Sequence, residues 1–338
     1  MLMSQEKGLR SFWYCLFPLA ELDEKPRPFR LLGENVAVWK DDEGVPHAVL
    51  DRCPHRTAKL SGGTIANGAI VCPYHGWAFR GDGQCVHVPQ DVLNKPVPFG
   101  VKAFRCEARY GQVWVCLEQP AADIPDVPQY GQPGFRQVFE FSEEWECSAL
   151  RIMENEFDAA HLSFVHAASF GSTDPVPSIA RVEERPDGFV AYNEMDVRNP
   201  EDMRSALHMT EAKTVRRTTG HYMLPFNRVT EIAYPNGLKN VLVTWLTPME
   251  DNRTRFNQFV MRNDTEAQVP AEQVRAFDRR VTLEDKLVLE TTDPMVPLDV
   301  GEGVELHMPS DRPGMVMRRM LRTSFEQLRR EPPGHAIS

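Results

Sequence analysis

The chain has 338 residues, 42% hydrophobic and 25% charged, which fits folded domains and excludes collagenous, low-complexity or wholly disordered readings. Its 38 Lys and Arg against 48 Asp and Glu leave a net charge of −10, so an extended grip on nucleic acid or anionic lipid would lack its electrostatic driving force. No apolar run approaches the roughly 18 residues of a membrane span. The opening MLMSQEKGLRSFWYCLFPLAEL has one short apolar stretch, broken by Pro18, and no small-residue cleavage site, so the expectation is a soluble, unprocessed, cytoplasmic protein. Seven cysteines are an odd count in a chain long enough to build its own core, which favours reduced thiols, some of them ligands, over a disulfide framework.

In chain order, short strand-like runs come first: Phe29 to Leu32, Val36 to Trp39, His47 to Leu50, Ala69 to Cys72 and Gln112 to Leu117, separated by GEN, DDEG, SGG, ANG and GDG turns. QPAADIPDVPQYGQPGF, residues 119–135, has four prolines, two glycines and no basic residue, and reads as a linker. It divides an all-β unit, 1–118, from a second unit, 136–338. Beyond it, Asn155 to Val165 is helix-like. Strand-like pieces follow at Phe189 to Asn193, His221 to Leu224, Asn240 to Leu246 and Arg255 to Met261. From Ala271 to Glu290, Val274, Phe277, Val281 and Val288 form a 3.6-residue stripe that predicts a long amphipathic helix. The mixed order gives an α+β fold whose second unit contains an antiparallel sheet. The closing RREPPGHAIS is expected to fray.

Two loops carry the first chemistry. DRCPHR and CPYHGW place Cys53 and His55 on one turn and Cys72 and His75 on another, each with a proline directly after its cysteine. Four such donors could close around zinc, or could hold a two-iron, two-sulfide cluster with both cysteines on one iron and both histidines on the other. A Cys2His2 finger pairs Cys with Cys and His with His. Here each loop carries one of each, which suits the asymmetric cluster. CPHR followed by CPYHGW resembles the Rieske iron-sulfur signature. Cys15, Cys85, Cys106, Cys116 and Cys147 read as buried or incidental thiols. Arg52, Arg56, Lys59 and Arg80 crowd the two loops, either as a docking face for an acidic electron donor or as ordinary solvated charges.

The second constellation is ENEFDAAHLSFVH, with Asn155, Asp158, His161 and His166. On a helix Asp158 and His161 are neighbours, whereas His161 and His166 would point about 140° apart and share one metal only if the helix is distorted or ends between them. Two histidines and a carboxylate around an open-faced ferrous ion form the facial triad that activates O2. Asp278, Glu284 and Asp285 all lie near the edges of the apolar stripe, and periodicity does not choose a third ligand among them.

Asn-x-x-Asp-x-x-His-x4-His downstream of a Rieske motif resembles the catalytic subunit of the Rieske non-haem iron aromatic ring-hydroxylating oxygenases, in their vanillate and dicamba O-demethylase branch. The resemblance covers nearly the whole chain. It implies an N-terminal Rieske [2Fe-2S] domain and a catalytic domain of helix-grip, START-like form. It makes His161, His166 and Asp285 the mononuclear iron ligands, with Asp158 orienting His161 and Asn155 part of the catalytic set. It further implies a homotrimer in which His75 of one subunit faces Asp158 of the next. O2 would be the co-substrate and a small, aromatic compound the substrate, with no nucleic acid or membrane partner. The chain has neither a G-x-G-x-x-G fingerprint nor plant-type ferredoxin spacing, so NAD(P)H would act through a separate ferredoxin or ferredoxin reductase. Hydroxylation of a methyl ether or N-methyl carbon releases formaldehyde, so monooxygenation and demethylation are one chemistry. Alternatives are a cis-dihydroxylating dioxygenase, a plain electron carrier and a zinc-stabilised binding module. His208, His221, Asn227 and Trp245 lie on segments that could line a pocket, and none is singled out.

Overall fold

The computed structural model describes residues 6–91, 98–171, 174–176 and 179–330. The first half is β-rich: β1 (Tyr14–Pro18), β2 (Arg27–Leu31), β3 (Glu34–Lys40), β4 (Pro46–Leu50), β5 (Thr64–Ala66), β6 (Ala69–Val71), β7 (Ala78–Phe79), β8 (Cys85–His87), β9 (Ala103–Arg109) and β10 (Gln112–Cys116). β1, β10, β9, β4, β3 and β2 form a six-stranded sheet in that order, and β5 to β8 form a separate four-stranded sheet. Asn67-Gly68 and Tyr110-Gly111 supply the two successive positive φ angles of a two-residue hairpin, which match the twist of the strands they join.

The second half begins with β11 (Arg136–Trp145) and α1 (Ala149–Asn155), capped by the Ser148 side chain on Arg151 N–H. Then come β12 (Arg181–Arg185), β13 (Gly188–Arg198), the short α2 (Glu201–Arg204), β14 (Lys213–Met223), β15 (Asn227–Ala233), β16 (Lys239–Glu250), β17 (Arg253–Arg262), α3 (Ala271–Leu289) and α4 (Arg312–Arg330). The seven strands make one antiparallel sheet, ordered β11-β17-β16-β15-β14-β13-β12. Among the described residues no helix is long and apolar enough to cross a membrane.

The expected long helix is present as α3. The expected helix over Asn155 to Val165 is not: α1 ends at Asn155, and His161–Ser163 is a single 3-10 turn. Asp158 explains the break. Its carboxylate accepts from Ala160 N–H at 2.8 Å and His161 N–H at 3.1 Å, giving those amides a local partner in place of the helical carbonyl four residues back. The sequence reading also passed over α1 and α4. Of the closing segment expected to fray, Arg329 and Arg330 end α4, and residues 331–338 lie outside the described residues.

The two halves share their apolar cores. Leu9, Phe12, Tyr14 and Val113 pack in one cluster with Phe141, Trp145, Met153 and Phe256, and a second cluster joins Trp13 and Trp114 to Trp245 and Phe259. Thr247 Oγ1 and Asn257 Nδ2 donate to the Cys15 carbonyl at 2.6 and 2.8 Å, tying β16 and β17 to β1. The proline-rich segment 119–135 is itself packed, with Ile124 and Val127 buried in the second cluster and Tyr110 Oη bonded to Pro125 O at 2.9 Å. Trp114 and Trp245 meet edge to face at 5.2 Å. Trp245→Ala is expected to cost about 3–5 kcal/mol and to lower the melting temperature of both halves together, read by following near-ultraviolet dichroism and visible absorption through one thermal scan.

Candidate metal centres and substrate cavity

The two Cys-His loops have the same backbone course. Cys53 and Cys72 each accept at their carbonyl from the residue four along, Thr57 N–H at 2.9 Å and Gly76 N–H at 3.1 Å. Those two residues both have left-handed φ, 58° at Thr57 and 72° at Gly76. Cys53 N–H and Cys72 N–H then donate at 2.8 Å to Ala58 O and Trp77 O. The turns thus face each other as a matched pair. Both thiols are buried, and burial together with the neighbouring Cys72 pushes the Cys53 thiol up. The imidazoles lie outside them, with His55 and His75 ring centroids 4.5 Å apart and His55 stacked on Trp77. His75 Nδ1 is buried with no hydrogen-bond partner.

This arrangement fits a cluster better than one ion. Among the described residues, the only group of three or more His, Cys, Asp or Glu donors lying within 4.8 Å of one another is His161, His166 and Asp285. The quartet on the loops does not converge that tightly, as a group with cysteine on one side and histidine on the other requires. All seven cysteines are free. Arg52, Arg56, Lys59 and Arg80 are exposed around the loops, but Arg80 is paired with Asp82 at 2.8 Å.

The second group forms where the broken segment after α1 meets α3. His161 Nε2 and His166 Nε2 lie 3.5 and 3.2 Å from the same Asp285 oxygen, Oδ1. The opposite ring nitrogens are held by carboxylates: His161 Nδ1 is 3.1 Å from Asp158 Oδ2, and His166 Nδ1 is 2.7 Å from Glu284 Oε2. Ser169 Oγ donates to that Glu284 oxygen at 2.7 Å, and Asn155 Nδ2 donates to Asp285 Oδ1 at 3.1 Å. Asp285 and Glu284 are adjacent on α3 and serve different nitrogens. Asp285 shares the histidines' inward donors, and Glu284 backs His166. Burial disfavours the charged forms of both His166 and Asp158. It is outweighed by Asp285 and Glu284 at His166, whose pKa is raised, and by His161 and backbone N–H groups at Asp158, whose pKa is lowered.

Two imidazole nitrogens and one carboxylate oxygen on one face are a donor set for a divalent first-row metal with open positions. The group borders a cavity of about 170 Å³ between the seven-stranded sheet and α3. Phe157, Leu162, Phe170, Phe277 and Val281 give it apolar walls, and Gly220 keeps the floor open, since a Cβ there would lie 3.0 Å from the Phe157 ring. Asp278 lines the cavity away from the donor set, against Glu140, where burial raises both pKa values. His208, His221, Asn227 and Trp245 are not among the lining residues. Arg216, Arg228, Thr230, Asn240 and Gln258 are, all on β14 to β17. Sequence reasoning missed them. The only signal was their alternation with apolar residues on strands, which is also how an ordinary half-buried sheet reads.

Two family models match the chain: the Rieske [2Fe-2S] domain over residues 12–101 and the vanillate O-demethylase oxygenase C-terminal domain over residues 145–327. The chain is 35% identical over 177 residues to the oxygenase component of dicamba O-demethylase from Stenotrophomonas maltophilia, an alignment covering 51% of this chain and 52% of that protein. It is 29% identical over 334 residues to the methylxanthine N1-demethylase of Pseudomonas putida, covering 94% and 90%. Over half its length it matches algal chlorophyllide a oxygenase from Chlamydomonas reinhardtii at 36% identity, spanning 28% of that protein. Among solved structures, dicamba monooxygenase bound to 3,6-dichlorosalicylic acid superposes with a TM-score of 0.83 at 25% identity, covering 96% of this chain and 99% of that one. The methylxanthine N1-demethylase with caffeine superposes at 0.82 and 26%, covering 97% and 94%.

The geometry separates the two acidic neighbours on α3. Asp285→Ala is expected to abolish binding of one divalent metal ion per chain. Glu284→Ala, which removes only a carboxylate behind His166, is expected to weaken it about 10- to 100-fold; competitive chelator titration with metal analysis measures both.

Proposed function

Because the chain belongs to the Rieske non-haem iron oxygenases, in the group with the vanillate O-demethylase oxygenase C-terminal domain, we propose that it is an oxygenase component that hydroxylates or O- or N-demethylates a small aromatic compound. The observation that carries this reading is the convergence of His161 Nε2, His166 Nε2 and Asp285 Oδ1 on the border of an apolar-walled cavity. Cys53, Cys72, His55 and His75 would hold the two-iron cluster and His161, His166 and Asp285 the ferrous ion. These groups would supply one-electron storage and O2 activation respectively. Electrons would come from NAD(P)H through a separate ferredoxin or reductase, with exposed Arg52, Arg56 and Lys59 beside the loops as its docking charges. The seven free thiols suit a reducing, cytoplasmic compartment.

The chain's own residues do the positioning. Asp158 and Glu284 accept from the Nδ1 side of His161 and His166, which leaves each Nε2 lone pair turned inward. Asn155 occupies part of Asp285 Oδ1 and limits how the carboxylate can swing. Phe157, Phe170 and Phe277 exclude water around the substrate and offer ring faces to an aromatic molecule.

We also infer a head-to-tail homotrimer in which His75 of one protomer faces Asp158 of its neighbour. The Asp158 side chain is 28% exposed even though it contacts His161. Leu306, 96% exposed, lines a groove with Asp158, and Tyr74 beside His75 is 63% exposed, so both halves of the inferred interface present apolar surface.

Anaerobically purified protein is expected to be brown, to carry about three irons per chain including those bound with acid-labile sulfide, and to release formaldehyde from a methyl ether or N-methyl substrate with surrogate reductase and O2. Colourless protein with stoichiometric zinc and no labile sulfide would overturn the reading. Asp158→Asn preserves shape and removes charge. It is expected to retain both metal centres while steady-state turnover falls by about 100-fold or more, because the carboxylate joining the two histidines is lost.

A further inference from the structure

Among the described residues, the cavity is lined by two cations, Arg216 and Arg228, and only Arg228 is paired. Arg228 on β15 is in an ion pair with Glu156, and Arg262 behind the floor is paired with Asp264. Arg216 on β14 lines the cavity, is 6% exposed, and has no hydrogen bond or ion pair among the described residues; its Nε is buried without a partner. Its guanidinium lies over the Phe170 ring at 4.5 Å, and Phe170 stacks on His166 at 4.8 Å, so it is held one ring away from the metal-ligand histidine. Tyr234 flanks it at 5.6 Å. Such stacking positions a guanidinium but leaves its in-plane N–H donors unspent, and a buried, unpaired charge is costly unless a ligand completes it.

The carboxylates that face Arg216 do not supply that partner. Asp278 from α3 acts on it only beyond ion-pair distance, and Asp278 is drawn into a buried pair with Glu140 of β11, to which Gln258 Nε2 donates at 2.6 Å. Asp285 belongs to the metal-ligand group and Glu156 to Arg228. We propose that Arg216 anchors the carboxylate of an aromatic acid substrate, so that this chain acts on anionic rather than neutral ring compounds. Thr230 and Asn240, 2% and 5% exposed, line the same cavity with Thr230 Oγ1 and Asn240 Oδ1 unpartnered, and they offer hydrogen bonds to further ring substituents. The inference deepens the oxygenase reading and rests on it only for what happens after binding.

The test compares holoenzyme and Arg216→Gln for binding of 3- and 4-methoxybenzoate and the matching methoxybenzamides by calorimetry, with melting temperature and iron content recorded. At least one acid is expected to bind the wild type about tenfold or more tighter than its amide, and Arg216→Gln is expected to lose about 100-fold for the acid with little change for the amide. The unliganded variant is expected to keep its iron and melt no lower than wild type, since removing an unpaired buried charge relieves a cost, whereas a merely structural arginine would be missed. Acids that bind no better than amides, or that bind Arg216→Gln as well as wild type, overturn the assignment. The acid preference is also read on metal-free protein. If it persists there while the anaerobically purified, untreated protein shows neither labile sulfide nor O2 consumption, the anchor stands and the oxygenase reading falls. If O2 consumption is present without an acid preference, only the anchor falls.

Discussion

Everything in the catalytic half turns on which nitrogen of each histidine faces inward. An imidazole has one donor and one acceptor nitrogen when neutral, and the partner at one fixes the role of the other. Asp158 and Glu284 sit on the Nδ1 sides of His161 and His166, and each is itself held, Asp158 by two backbone N–H groups and Glu284 by Ser169. The rings therefore cannot turn without breaking bonds in a second layer. The same aspartate that aims His161 also ends the helix before it, which lets two histidines five residues apart meet on one carboxylate oxygen.

Behind this site, α1 is anchored by side chains of its own. Glu154 receives Arg318 Nε at 2.5 Å from α4 and Arg151 Nη1 at 3.1 Å, and Arg318 also donates to Pro297 O. Arg318 is 2% exposed, so this is a buried clamp whose cost is met by several hydrogen bonds at once. It fixes the end of α1 from which Asn155 reaches Asp285. The shared apolar clusters do the equivalent for the two halves of the chain, since no change in their relative orientation is possible without exposing Trp114, Trp245 and Phe141.

Much of this is legible in the sequence because ligand chemistry and strand alternation are local. The Cys-Pro turns, most strands of the first half and the α3 stripe are all read from neighbouring residues. What is not legible depends on long-range placement. Glu284 and Asp285 differ by one step, about 100°, on the same helix, and only the position of the β-sheet beneath decides which faces the histidines. The helix expected over Asn155 to Val165 fails because a single side chain competes for its amides, a local effect that helix-forming composition hides. Arg216, Thr230 and Asn240 look like ordinary alternating strand residues until burial without partners sets them apart.

The helix over the cavity links metal to substrate mechanically. Phe277, Asp278, Val281, Thr282 and Asp285 fall within one face of α3, spaced i, i+1, i+4, i+5 and i+8. The apolar wall of the cavity and the carboxylate that meets His161 and His166 therefore belong to the same rigid turn sequence. A rotation of α3 that admits a larger molecule also moves Asp285 relative to His161 and His166. The floor is less constrained, because alternate positions of β14 to β16 can change without altering that helix. Diversification of substrate chemistry on this scaffold is thus easier from the sheet than from the helix, and the unpaired guanidinium of Arg216 stands on the sheet side.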